Sequence, residues 1–286
     1  MGINNVTFDW LLKLEAAGII GHGESMLELG PQDIVVPPLQ VMARLSQFQR
    51  PGVEIGSVIA AGGGLTPFSQ KIMYAALGIG QYLSADIGDP RADYRIDLNY
   101  PIQEHLRTYD LITNFGTAEH VFNVGQVFVT IHQLLKDGGI VLHVLPTLGD
   151  CNHGFWNIHP TVYFDIAREN GYEILDYRYV DNMWVRSFKM NQAEGLDALS
   201  ARFDFDALPV KINFASRTTP FQIQNPHFTR MAATQYLNNA ADPDIRRVLQ
   251  DNPTKLFDYC FVAMRKLPSL GQTGFRFPAQ SEYLKG

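Results

Sequence analysis

The chain has 286 residues, 46% apolar and 18% charged, enough to bury a full core, and it reads as one elaborated domain over 1–286. Its 23 basic and 29 acidic residues leave a formal charge of −6 with no long basic run, which argues against nucleic acid as a partner. No apolar run approaches the roughly 20 residues needed to cross a bilayer, and Asp9 and Glu15 stand where a signal peptide would be basic and then apolar, so a cytoplasmic protein without membrane contact is expected.

In chain order, the first clear pattern is a short apolar strand at residues 25–30, closed by Gly30. Thr66-Pro67 reads as a helix cap and first helical residue, with Phe68, Ile72, Ala76 and Leu77 on one face. Residues 81–89, 94–99, 109–115 and 139–146 repeat the strand pattern. Between the last two, Val124, Val127, Phe128, Ile131, Leu134 and Leu135 form a helical stripe that stops at Gly138-Gly139. Strand, helix and buried strand in succession make a parallel crossover unit. A helix over 160–170 closes at Gly171, and strands follow at 172–180 and 256–264. Between them, residues 186–253 lose clear periodicity and read as an insertion or cap; 266–286 reads as a tail rich in Gly, Pro and Phe. Cys151 and Cys260 are too few for a disulfide framework and read as reduced thiols.

The polar residues gather at strand ends. In a parallel sheet that is where ligands bind, because the crevice there exposes free backbone groups. Glu28 and Gly30 end the first strand, Asp86 the second and Asp97 the third. A carboxylate after the second strand can accept from both hydroxyls of a ribose, and one after the third from an adenine amine; ordinary turn aspartates are the plainer alternative. The fourth strand runs into Asn114, Phe115, Gly116, Glu119 and His120. After the fifth, residues 150–159 hold His153 and His159, two Asn and two aromatics. A metal site built from His120, His153 and Cys151 is not forbidden by position, but no tight paired motif marks one and no metal is assigned.

Glu28-Leu-Gly30, Asp86, Asp97-Leu-Asn99, the stretch 110–121 and Leu135-Lys-Asp-Gly-Gly139 fall in the order of the nucleotide-binding motifs of class I S-adenosylmethionine-dependent methyltransferases, and the resemblance covers residues 25–182. More narrowly, Asn114-Phe-Gly-Thr-Ala-Glu-His-Val-Phe-Asn123, the Gly138-Gly139 strand and Asn152-His-Gly-Phe-Trp-Asn157 resemble a bacterial methyltransferase-like group with mostly unassigned substrates. Two departures stand out. Gly30 is followed by Pro31, Gln32 and Asp33 instead of further glycines, and 55 residues separate it from Asp86.

The resemblance implies an α/β fold, a Rossmann-like, doubly wound and mostly parallel sheet with an inserted cap-like segment. It also implies S-adenosylmethionine as cofactor. Glu28 and Gly30 would line its methionine side, Asp86 its ribose with Ile87 alongside, and Asp97 with Leu98 its adenine; Asn114, Phe115 and Gly116 would border the sulfonium. The acceptor is expected to be a small-molecule or glycan hydroxyl. His120, Glu119 or His153 would serve as base or acceptor-binding group, since an imidazole suits proton transfer near neutrality. Two other readings stay open: a nicotinamide-dependent oxidoreductase, which lacks its usual Gly-rich turn here, and a non-catalytic relative that binds an adenosyl ligand or a partner. A homo-oligomer is also left open.

Overall fold

The computed structural model describes residues 2–36, 41, 70–102, 107–150, 153–180, 257–268 and 274–279. The expected insertion at 186–253 and the cap at Thr66-Pro67 lie outside the described residues, as does Cys151. The described elements in order are α1 (Asn5–Ala16), β1 (Ser25–Leu29), α2 (Gln70–Ala76), β2 (Gln81–Asp86), β3 (Tyr94–Arg95), β4 (Tyr109–Phe115), a short 3-10 turn (Ala118–His120), α3 (Val124–Leu134), β5 (Leu135–Gly149), α4 (Thr161–Asn170), β6 (Tyr172–Val180) and β7 (Phe257–Lys266).

The seven strands form one sheet in the order β3-β2-β1-β4-β5-β7-β6. The first five are parallel, and β7 runs antiparallel to both β5 and β6. Four residues of β1 and six of β4 are buried, as strands covered on both faces must be. Alternation divides their side chains between two cores. Met26, Leu111, Phe115, Leu142 and Phe261 join one cluster with α1 and α2, while Leu27, Ile112, Val141 and Val262 join the other with α3 and α4. Burying Leu or Phe in this way contributes roughly 1.5–3 kcal/mol per side chain.

The sequence reading assigns no element before residue 25, yet α1 is a full helix. Asn4 caps it by accepting from the Thr7 N–H at 3.0 Å. Val6, Phe8, Trp10, Leu11, Leu12 and Leu14 are all buried, so apolar residues surround the helix and no single stripe betrays it. Trp10 packs edge-on to Phe261 at 5.2 Å and donates to Asp176 Oδ2 at 2.7 Å, tying the helix to two strands of the far half of the sheet.

Two strands are shorter than expected, and the reason is the site. β2 stops at Asp86 because its Oδ1 accepts from the Gly88 and Asp89 N–H groups at 2.7 and 2.8 Å, which turns the chain. β3 ends at Arg95, and Asp97 makes a similar turn by accepting from Asn99 N at 2.9 Å. At the other end, α3 gives way to β5 at Leu135, before the glycine pair: Leu135 is already extended and pairs with Tyr109 of β4. α4 ends as expected, at Gly171 with φ +66°. The described part of the tail packs back on the domain, with Arg276 N donating to Asn170 Oδ1 at 2.7 Å and Phe275 against His132.

Strand order runs outward in opposite directions from the β1–β4 pair. The carboxyl ends of these two strands therefore flank the crevice where a doubly wound sheet binds its ligand.

Candidate functional site

A cavity of about 600 Å³ opens at that crevice. This volume lies within the range of small-molecule and cofactor sites. Gly30, Pro31, Gln32 and Asp33 line it from the β1 turn, Asp86 and Ile87 from the end of β2, Ile96 to Asn99 from the segment after β3, and Gly116, Thr117, His120 and Val121 from beyond β4. Gly2 and Val35 complete the lining from the N-terminal segment, where Ile3 bridges to Ile34.

Six of the nine expected cofactor residues thus meet here: Gly30, Asp86, Ile87, Asp97, Leu98 and Gly116. Glu28, Asn114 and Phe115 do not line the cavity, because strand alternation turns their side chains inward. Phe115 packs in the α1 core, tilted against Trp10. Asn114 accepts from Ala118 N at 3.1 Å and contacts His143 Nδ1 at 3.2 Å, so it clips the turn beyond β4 from within. Full burial brings the His143 imidazole down to about 3, leaving it neutral.

Glu28 has no exposed surface and sits beneath the β1 turn. Its carboxylate accepts from Tyr82 OH at 2.5 Å, Tyr74 OH at 3.0 Å and Gln32 N at 3.1 Å. Burial pushes its carboxyl up to about 7, although these donors and Arg91 oppose the rise. It acts on the site through Gln32, whose backbone it holds.

The turn above it does without the missing glycines. Gly30 has φ +71°, and a Cβ there would lie 2.8 Å from Thr117 Oγ1, which is itself bonded to Leu29 O at 2.5 Å and cannot retreat. Gly30→Ala is therefore expected to cost about 1–3 kcal/mol, read as a lower urea midpoint at unchanged slope. Arg91 supplies the outer brace: it reaches Asp33 Oδ1 at 2.7 Å, Asp89 Oδ2 at 2.6 Å and Pro31 O at 3.1 Å, joining the β1 and β2 turns. Arg91, Gln32 and Thr117 carry no expected role from the sequence, where only their nearness to Gly30, Asp86 and Gly116 signals them.

Beyond β4, Glu119, His120 and His153 come together. The two imidazoles stand edge to face at 4.7 Å, and His153 Nε2 is 3.8 Å from Glu119 Oε1 and 3.9 Å from Asp150 Oδ2. Glu119 is buried, and burial pushes its carboxyl up to about 7. Burial and then the His153 neighbour hold His120 below the ordinary imidazole range. The loop carrying His153 is pinned here, since Phe155 N donates to Glu119 O at 2.7 Å and Trp156 Nε1 to Val121 O at 3.1 Å. Phe122, Phe155 and Trp156 form an exposed aromatic shelf beside the cluster. His159 instead belongs to the start of α4, where its Nδ1 lies 3.0 Å from Thr161 Oγ1.

A sheet ordered 3-2-1-4-5-7-6 with only its seventh strand reversed decides the fold. It is a Rossmann-like, doubly wound and mostly parallel sheet, the arrangement that the resemblance to class I S-adenosylmethionine-dependent methyltransferases implies. No family model and no curated protein matches the chain. Among solved structures it is similar to the [4+2]-cyclase SpnF, at 12% identity over 91% of this chain and 81% of the other, with a TM-score of 0.42. It is also similar to an O-methyltransferase from a trans-AT PKS multienzyme of Brevibacillus brevis in complex with S-adenosyl-L-homocysteine (11%, 91% and 72%, TM-score 0.40). A third is an S-adenosylmethionine-dependent methyltransferase from Thiobacillus denitrificans, also with S-adenosyl-L-homocysteine (15%, 90% and 91%, TM-score 0.37). Among the described residues, no helix is long and apolar enough to cross a membrane.

Proposed function

We propose that the protein is an S-adenosylmethionine-dependent methyltransferase acting on a hydroxyl of a small molecule or glycan. The observation that carries the reading is the pair Asp86 and Asp97. Each ends or follows a neighbouring strand, has one carboxylate oxygen fixed by its own turn, and lines the same cavity.

The residues present fit an adenosyl group. Asp86 Oδ1 is held by backbone donors while Oδ2 lies toward the Gly30 turn, where it can accept from ribose hydroxyls. Ile87, Ile96, Leu98 and Val121 give apolar walls for a flat base, with Asp97 at hand for an amine. Gln32 supports the methionine end. Its Nε2 donates to Gly30 O at 2.8 Å, which leaves a buried Oε1 with no hydrogen-bond partner among the described residues and suited to an ammonium group.

When bound, S-adenosylmethionine supplies an electrophilic methyl group. The chain's part is to place an acceptor oxygen in line with it and to take up or direct the hydroxyl proton, and positioning of this kind supplies much of a transfer rate. His120 lines the cavity on the side of the cluster, and the aromatic shelf of Phe122, Phe155 and Trp156 offers a ring-bearing acceptor a surface to rest on.

Thermal unfolding of the whole chain tests the reading. At 100 times its dissociation constant, S-adenosylhomocysteine stabilises by about 2.7 kcal/mol, a rise of roughly 5–10 °C for a domain of this size. NAD at the same concentration is expected to leave the midpoint unmoved. A rise with NAD and none with the adenosyl ligand would transfer the site to an oxidoreductase.

A further inference from the structure

We infer that Glu119, His120 and His153 bind a first-row divalent transition metal of the zinc class beside the cavity. The starting observation is Glu119, which has no exposed surface and whose two carboxylate oxygens have no hydrogen-bond partner among the described residues. Its nearest charged neighbour, His153 Nε2, stands 3.8 Å away, beyond hydrogen-bond reach, so the burial of this carboxyl carries a cost that a bound cation would offset.

The neighbours supply the rest of a ligand set. One donor atom each from Glu119, His120 and His153 all lie within 4.8 Å of one another. Zinc bonds to nitrogen and oxygen at roughly 2.0–2.2 Å in tetrahedral geometry, which places two of its ligands about 3.3–3.6 Å apart. Closing the cluster on an ion therefore takes side-chain movements of up to about 1.5 Å between donor atoms, within reach of rotamer adjustment at the exposed His120 and His153. Two imidazoles and a carboxylate form a donor set for Zn²⁺ or Fe²⁺ with positions left open, whereas Mg²⁺ and Ca²⁺ call for oxygen throughout.

The frame around the cluster is built to hold it. Gly154 packs against Glu119 so closely that a Cβ would lie 2.8 Å from its carbonyl oxygen and 2.9 Å from its Cγ. Asp150 adds a second carboxylate 3.9 Å from the same His153 nitrogen, itself fixed by Tyr259 OH at 2.9 Å. Asp150 is also the one non-glycine residue with positive φ among the described residues, at +52°, and such backbone strain gathers at functional sites. His120 is a lining residue, so an ion held here faces the cavity.

Its role rests on the proposed methyl transfer; metal binding itself does not. A metal ion at this point holds the acceptor hydroxyl and lowers its pKa as a Lewis acid. The hydroxyl proton passes to water as the oxygen lone pair takes the methyl group, and the sulfur keeps the electron pair of the bond that breaks.

The test is calorimetric titration of Zn²⁺ into chelator-treated full-length protein, with Co²⁺ absorption as a second probe. One ion per chain is expected. Glu119→Gln, which keeps the side-chain shape, and the exposed His120→Ala and His153→Ala are each expected to weaken binding by more than the ~10–100-fold that losing an outer partner of a ligand costs. Far-ultraviolet circular dichroism and a single cooperative urea transition like the parent's in all three variants show that the fold persists. No Zn²⁺ binding by the parent chain, or affinity unchanged in the variants, overturns the site. Zn²⁺ binding at these residues in a chain that ignores S-adenosylhomocysteine would sustain the metal site and sink the methyltransferase reading.

Discussion

Asp86→Ala is expected to lower the affinity for S-adenosylhomocysteine by roughly 100-fold or more, while Asp86→Asn loses roughly tenfold. The two oxygens of this carboxylate have separate duties. Oδ1 accepts from Gly88 N and Asp89 N and so sets the turn after β2; Oδ2 lies toward Gly30, 3.6 Å from where a Cβ on that residue would be. Hydrogen bonds to a charged group contribute about 1.5–3 kcal/mol each, and a ribose presents two hydroxyls. Alanine removes both bonds and the turn, whereas asparagine keeps the turn and one acceptor but replaces the charged oxygen with a donor amide. At about 1.4 kcal/mol per factor of ten, the two variants separate by an order of magnitude in titration calorimetry. A loss below tenfold in the alanine variant would remove Asp86 from the ribose. Equal losses in both would mean that the charge alone matters and the turn contributes nothing.

The central strands of this fold were legible because they are buried on both faces. Apolar runs mark β1 and β4 with little ambiguity, while β2, half-buried and mixed in composition, is legible in place but ends three residues earlier than its pattern suggests. Apolar periodicity served less well where burial is all-round, as in α1, whose Phe8, Trp10, Leu11 and Leu12 point to several neighbours at once. Side-chain direction was the harder matter. Glu28 and Gly30 are two residues apart and both belong to the first motif, yet Gly30 lines the cavity while Glu28 is bonded internally to Tyr74 and Tyr82, residues 46 and 54 positions away. No local pattern announces such partners. The same holds for Arg91, whose bond to Asp33 spans 58 residues, and for the meeting of Glu119 with His153 across β5 and its loop. Residue type and strand end locate a site; the long-range pairing that orients each group within it is a property of the packed sheet.

Glu28→Gln is expected to make the protein more stable than its parent by about 3 kcal/mol above pH 8, with the difference vanishing below about pH 4.5. The sign follows from the direction of the shift. Burial raises the folded-state pKa of Glu28 to about 7 from an ordinary 4.5, so folding takes up a proton between these values. The stability this group contributes is fully present below 4.5 and is lost as pH rises through 7, when an ionised carboxylate must stay buried between Tyr74 and Tyr82, with the more distant Arg91 as its charged counterpart. A protonated Glu28 can accept on Oε2 from Tyr82 and Gln32 N while donating from Oε1 to Tyr74, and glutamine reproduces that pattern with its amide. The substitution thus keeps three hydrogen bonds and deletes one titration. His143 and His132, both held neutral by burial, make the chain less stable in acid, but they do so equally in both proteins and cancel in the difference. Urea unfolding of the two chains at pH 5 and pH 8 measures it directly. Parallel profiles would show that Glu28 stays ionised throughout, which would return it to the set of groups available to a cationic ligand in the β1 turn.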